Sequence, residues 1–191
     1  MELQKRGITV GIGIDEAGIN DDRDMLQEMR MALTVHRTPG MNRADVPSPA
    51  QVLRMATEHG ALTTAFGAEI GRLEPRRQMD AVILDYDSAT YPYQDPDIAP
   101  LDALIHRAKS KDVKTVMVQG RAIYEDGKFL FVDRDAVLAQ IAEALSAPRD
   151  ADEVERHWLR EQVFPLVEEF YDGYLQNTAE RTPFYKGSSS T

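Results

Sequence analysis

The residue with the most chemical promise is Asp15, which closes the run Gly7-Ile8-Thr9-Val10-Gly11-Ile12-Gly13-Ile14-Asp15. That run is apolar and β-branched on both parities, the pattern of a strand covered on both faces in a parallel sheet. A carboxylate at the C-terminal end of such a strand sits where open α/β sheets and barrels place ligands and catalytic groups. It can give a hard oxygen to a divalent metal and accept a proton from a water that the metal acidifies. It can equally cap the next turn, since aspartate abounds in strand-to-helix loops. The four histidines, His36, His59, His106 and His157, stand apart without the spacing of a local metal clamp, and each reads as a helix-surface or helix-end residue. Gly11-Ile12-Gly13 lacks the third glycine of a dinucleotide fingerprint and reads as strand glycines near a barrel axis. With no cysteine in the chain, thiolate metal sites, cysteine nucleophiles and disulfides are excluded, so any metal is held by oxygen and imidazole.

The elements that must position Asp15 follow from the pattern on either side. Gly18 and Asn20 make a loop, and Asn20 or Asp21 can cap a helix carrying Met25, Met29, Ala32, Leu33 and His36 on its core-facing stripe. Ser48-Pro49-Ala50-Gln51 combines an N-cap serine, a first-turn proline and a glutamine placed to close a capping box. The helix it starts runs to about Glu58, and Gly60 begins a shorter helical piece ending near Phe66-Gly67. From residue 69 the signals turn to β: a short buried strand Ala81-Val82-Ile83-Leu84, a hairpin around Gly120, and a strand from Lys128 to Val132 after the Asp126-Gly127 turn. Residues 86–100, rich in tyrosine and proline, read as a surface loop. Two helices follow, over 133–145 and 152–175. The second has a broad apolar stripe from Trp158 to Tyr174 that must meet something large, a bend expected at Pro165, and a flexible tail behind it.

With 32 acidic against 22 basic residues the 191-residue chain carries a net charge of −10, which disfavours nucleic acid and anionic lipid as partners. No apolar run approaches the roughly 18 residues of a spanning helix. No signal peptide is visible behind Met1, so the expectation is a cytoplasmic protein with a small-molecule substrate.

In order along the chain, the glycine-rich run to Asp15, the segments Asn20 to Arg30, Leu53-Arg54-Met55-Ala56-Thr57 and Ile70 to Pro75, then Asp80-Ala81-Val82-Ile83-Leu84-Asp85 and Val113 to Gly127, resemble the C-terminal part of an amidohydrolase-superfamily enzyme. The chlorohydrolase, cytosine and guanine deaminase branch is the most similar, over about residues 3–145. The resemblance implies an α/β fold: the C-terminal fragment of a (β/α)8 barrel, comprising its last strand and following helices, with part of a small β-sandwich and C-terminal helices. It implies domains at 1–68, 69–133 with an inserted helix near 101–108, and 134–191. It also implies metal-dependent hydrolysis of carbon–nitrogen bonds other than peptide bonds, such as deamination of a small heterocycle, with zinc or iron as the metal. Asp15 would be both metal ligand and proton acceptor.

Three departures qualify this. Ile14-Asp15-Glu16 stands where the family has Thr-Asp-Gly, Glu74-Pro75-Arg76 where it has Glu-Pro-Gly, and the His-x-His strand is absent. A barrel takes about 250 residues and a catalytic zinc typically three protein ligands. The 191 residues alone are therefore expected to be inactive and to hold no metal unless a second chain supplies histidines. Two other readings stay open. One is a non-catalytic half-enzyme that acts as an interaction or assembly module, pairing with itself or with a complementary N-terminal chain. The other is an unrelated α/β binding domain whose likeness is accidental, which requires residues 8–14 to lie centrally in a closed sheet.

Overall fold

The computed structural model describes residues 2–15, 22–37 and 41–172. Asn20, Asp21, Glu16, Gly18, Tyr174 and the expected tail fall outside them. The contacts divide the chain into a first unit ending at Val132 and a second beginning at Asp133.

In the first unit the elements are α1 (Glu2–Lys5), α2 (Met25–Val35), α3 (Pro49–Ala56), α4 (Glu58–Ala61), β1 (Ala81–Leu84), α5 (Tyr86–Thr90), α6 (Pro100–Arg107), β2 (Val113–Val118), β3 (Arg121–Glu125) and β4 (Lys128–Phe129). Single 3-10 turns lie at Arg43–Asp45 and Ser110–Asp112. Helix α2 starts later than Asn20 or Asp21 would have set it. Its N-cap is Asp24, whose carboxylate accepts from the Leu26 amide at 2.8 Å. Helix α3 begins as its sequence demands. The Ser48 hydroxyl accepts from the Gln51 amide at 3.3 Å, and the Gln51 side chain accepts from the Ser48 amide at 2.9 Å.

Met29 and Leu33 lie one turn apart on α2 and close against Val52 of α3 and Ile105 of α6, with Ile12, Leu26, Leu53 and Leu101 packed around them. Leu33 and Val52 are fully buried, and each such side chain removed from water contributes about 1.5–3 kcal/mol. The Arg30 guanidinium donates to the carbonyls of Ile105 and Ala108, closing the end of α6.

The four strands form one antiparallel sheet in the order β1-β2-β3-β4. Val118 pairs with Arg121 and Glu125 with Lys128, so each hairpin loop has two residues, Gln119-Gly120 and Asp126-Gly127. All four have positive φ, the mirror-image turn whose twist matches that of the strands. Both turns follow the sequence. Strand β4 is shorter than expected, ending at Phe129, although the Leu130 amide still donates to the Ile123 carbonyl at 3.0 Å in the register of the ladder.

Several expectations need correction. Residues 8–14 join no sheet: the segment makes one long-range backbone bond, Ile12 N to the Met55 carbonyl at 3.1 Å, and Ile8 is half exposed. An extended run becomes a strand only when a neighbouring strand satisfies its edge, and among the described residues no strand lies beside it. Because those residues do not lie centrally in a closed sheet, the accidental-likeness reading loses its requirement. Strand β1 is not buried, since Val82 is 58% exposed and Ile83 48%. The helical piece expected from Gly60 to Gly67 is instead α4, which ends at Ala61. The loop expected over 86–100 opens with α5, capped by Asp85, whose carboxylate accepts from the Ser88 amide at 2.9 Å.

The second unit holds α7 (Arg134–Ser146) and α8 (Ala151–Asp172). Asp133 caps α7 through the Ala136 amide at 3.0 Å. The Asp150 carboxylate accepts from the Glu153 amide at 2.8 Å at the start of α8. Helix α8 runs unbroken through Pro165. Among the described residues no helix is long and apolar enough to cross a membrane.

Candidate functional site

Asp15 ends the 8–14 segment with its side chain exposed and its backbone in the left-handed region at φ 57°. That conformation costs a non-glycine residue about 1–2 kcal/mol, and such strain is more common at functional positions than elsewhere. The segment leading to it rests on α3 and α4 through its backbone. A Cβ on Gly11 would lie 3.5 Å from the Gly60 backbone, and the His59 Nδ1 donates to the Val10 carbonyl at 3.0 Å. Ile12 anchors the same stretch in the helical core. The carboxylate is therefore carried at the end of a segment fixed from one side only.

The histidines do not gather around Asp15. His36 terminates α2, His59 lies in α4, His106 in the last turn of α6, and His157 on α8, where its ring lies 3.4 Å from the Glu161 carboxylate. Among the described residues no group of three His, Asp or Glu side chains is disposed to hold a metal. A cleft of about 300 Å³ lies toward the beginning of the 8–14 segment, lined by Thr9, Arg54, Glu58, His59, Arg72 and Arg77 among others. Its charges pair internally. Arg72 donates to Glu58 at 2.6 Å and to Glu74 at 3.3 Å, and Arg77 donates to Glu74 at 3.0 Å. The hydrogen bond from Arg72 holds the Glu58 carboxyl below its ordinary value.

The sequence did not signal a second polar cluster, because its partners are far apart along the chain. The Asp112 carboxylate is 2% exposed and accepts from the Ser88 hydroxyl at 2.6 Å and the Lys109 amide at 2.9 Å, with the Lys111 ammonium at 3.3 Å. Burial pushes this carboxyl up, but those three donors outweigh it and hold it below the usual value. The cluster fastens the start of β2 to α5 and is fully satisfied, as a structural junction requires. Asp24 does similar work: one oxygen caps α2 and the other accepts from the Ser110 amide at 3.3 Å.

The family model for the amidohydrolase family matches residues 1–123. The chain belongs to the amidohydrolase family. The 5-methylthioadenosine/S-adenosylhomocysteine deaminase of Syntrophomonas wolfei subsp. wolfei is 34% identical over 141 residues, which cover 74% of this chain and 32% of that protein. The 5'-deoxyadenosine deaminase of Methanopyrus kandleri is 32% identical over 143 residues, with the same coverage. Among solved structures, an adenosine deaminase from Xanthomonas campestris with bound zinc superposes with a TM-score of 0.66 at 29% identity, over 74% of this chain and 31% of that one. A variant of the atrazine chlorohydrolase from Arthrobacter aurescens TC1, complexed with zinc and atraton, gives 0.67 at 26%, with the same coverage. This amidohydrolase chain thus spans about a third of the length of the relatives it matches, and its α/β fold resembles part of theirs. The family match also removes the reading of an accidental likeness.

The described residues of this amidohydrolase chain do not by themselves fit a zinc ion of the kind two of those structures contain. Asp15 offers one carboxylate, and among the described residues no group of three His, Asp or Glu could hold an ion, whereas catalytic zinc typically takes three protein ligands and leaves a fourth position open.

Proposed function

We propose that these 191 residues are the C-terminal portion of a cytoplasmic metal-dependent hydrolase that cleaves carbon–nitrogen bonds other than peptide bonds in a small molecule, such as the amino-bearing carbon of a heterocycle. In this reading residues 8–14 form the last strand of a (β/α)8 barrel, and the antiparallel sheet is part of the accompanying β-sandwich. Asp15 contributes one carboxylate to a site whose histidines lie on other segments, as metal ligand and proton acceptor. The chain on its own is inactive. The observation that carries the proposal is the family match over residues 1–123, ending in deaminase relatives on one side and chlorohydrolase structures on the other. The exposed Asp15, on a segment that joins no sheet among the described residues, supports its place in the site.

The test is complementation. The chain alone is expected to purify without stoichiometric zinc and without deaminase activity toward 5'-deoxyadenosine. Co-expressed with the N-terminal two-thirds of the Syntrophomonas wolfei deaminase, it is expected to form a zinc-containing complex that deaminates. Asp15→Asn should abolish that activity while leaving the complex assembled. Tight equimolar zinc in the isolated chain, or an active complex indifferent to Asp15→Asn, would refute the assignment.

A further inference from the structure

Helix α8 carries large apolar side chains that the second unit does not cover. Leu159, Val163, Leu166 and Phe170 follow one another at spacings of four, three and four residues, the repeat that lets one helix seat against another along a continuous seam. Val167 widens that seam on one side. These residues range from 42% exposed at Val167 to 70% at Phe170. Helix α7, the other helix of the unit, makes no substantial packing contact with α8.

We infer that α8 is a self-association surface, and that its occupant is α8 of a second copy of this chain, packed antiparallel about a two-fold axis between Val163 and Leu166. Area supports a second copy. At on the order of 100 Å² apiece the five apolar side chains remove roughly 500 Å² per copy. With flanking Arg160, Gln162 and Glu169 this approaches the ~800 Å² per partner of a stable interface.

Charge selects the orientation. A parallel pair stacks Arg156 on Arg156 and Asp152 on Asp152, because both residues continue the seam toward its N-terminus. The antiparallel pair aligns Leu159 with Phe170 and Val163 with Leu166 throughout. It also brings Arg156 to the C-terminal end of the partner helix, where Glu169, Asp172 and the helix dipole are all negative. Helix α7 is a poorer occupant, because its charges, Arg134, Asp135 and Glu143, offer no such match. This inference is independent of the hydrolase proposal, since α8 lies beyond the residues 1–123 that the family model matches.

Sedimentation equilibrium of the 191-residue chain tests it. The expected mass is twice 21.5 kDa. The double variant Val163→Glu/Phe170→Glu is expected to sediment at the chain mass with its far-UV circular dichroism retained. Val82→Lys/Ile83→Lys on the sheet is expected to remain a dimer. As the chain has no cysteine, mixing Val163→Cys with Leu166→Cys chains under oxidation should give the mixed disulfide. A wild-type mass of one chain at micromolar concentrations, a larger species that the α8 variant leaves unchanged, or a dimer lost only in the sheet variant would overturn the inference. Disulfides formed only between like variants would overturn the antiparallel arrangement.

Discussion

Replacing Asp112 by asparagine isolates the junction between sheet and helices. The substitution keeps the side chain's shape and removes its charge, leaving one acceptor oxygen where two serve the Ser88 hydroxyl and the Lys109 amide at 2.6 and 2.9 Å. One of those donors loses its partner inside the protein. A hydrogen bond to a charged group contributes about 1.5–3 kcal/mol, and a buried donor left unpaired costs about 1–3 kcal/mol, so the expected loss is about 2–4 kcal/mol near neutral pH. The pH dependence has a definite sign. Burial raises the Asp112 carboxyl, but Ser88, Lys109 and Lys111 together bring it below its ordinary value. As pH falls, the unfolded chain therefore takes up this proton before the folded one does. The stabilisation is complete above the unfolded value of about 3.9 and drains away as pH drops through the lower folded value. Urea unfolding followed by circular dichroism should show Asp112→Asn unfolding earlier near neutral pH, with the gap to wild type narrowing below about pH 4. Equal midpoints near neutral pH, or a gap that persists unchanged in acid, would refute the assignment of charge and hydrogen bonds at this junction.

Other perturbations have equally definite outcomes. Gly71 has φ +87°, and a Cβ there would lie 2.7 Å from the Ala61 Cβ and 3.1 Å from the Thr57 carbonyl. Gly71→Ala should therefore cost about 2–5 kcal/mol in urea unfolding, from left-handed strain and overpacking together. Arg76 is exposed at φ 74°, so Arg76→Gly should raise the urea midpoint, by up to about 1 kcal/mol of strain relieved less the entropy glycine adds to the unfolded chain. Ser48→Ala breaks the capping box of α3 and should cost about 1 kcal/mol in the same assay.

Local signals carried much of this fold. Ser48, Pro49 and Gln51 mark the start of α3 because a cap is made by residues three apart, and the Gln119-Gly120 and Asp126-Gly127 turns are set by two residues each. What stayed hidden depends on distant partners. Asp112 looks like an ordinary turn residue until Ser88, 24 positions earlier, is brought against it. Burial of β1 was misjudged for a related reason: apolar composition says that Val82 and Ile83 suit a covered face, and only neighbours decide whether anything covers them. At the site, Asp15 stood out by its place after a β-branched run, and the family emerged from ordered short segments. The other members of a metal site were not legible, since His36, His59, His106 and His157 serve separate helices.

The carboxylate of Asp24 touches two parts of the first unit that lie 86 positions apart, opening α2 with one oxygen and steadying the turn before β2 with the other. Arg30, two turns further along α2, grips the end of α6. Fraying at the front of α2 would therefore strip partners from the backbone on both sides at once, so helix and sheet share a common threshold for opening. Amide protons in α2 and β2 would then exchange with solvent in step, and damage to either would be felt by the other.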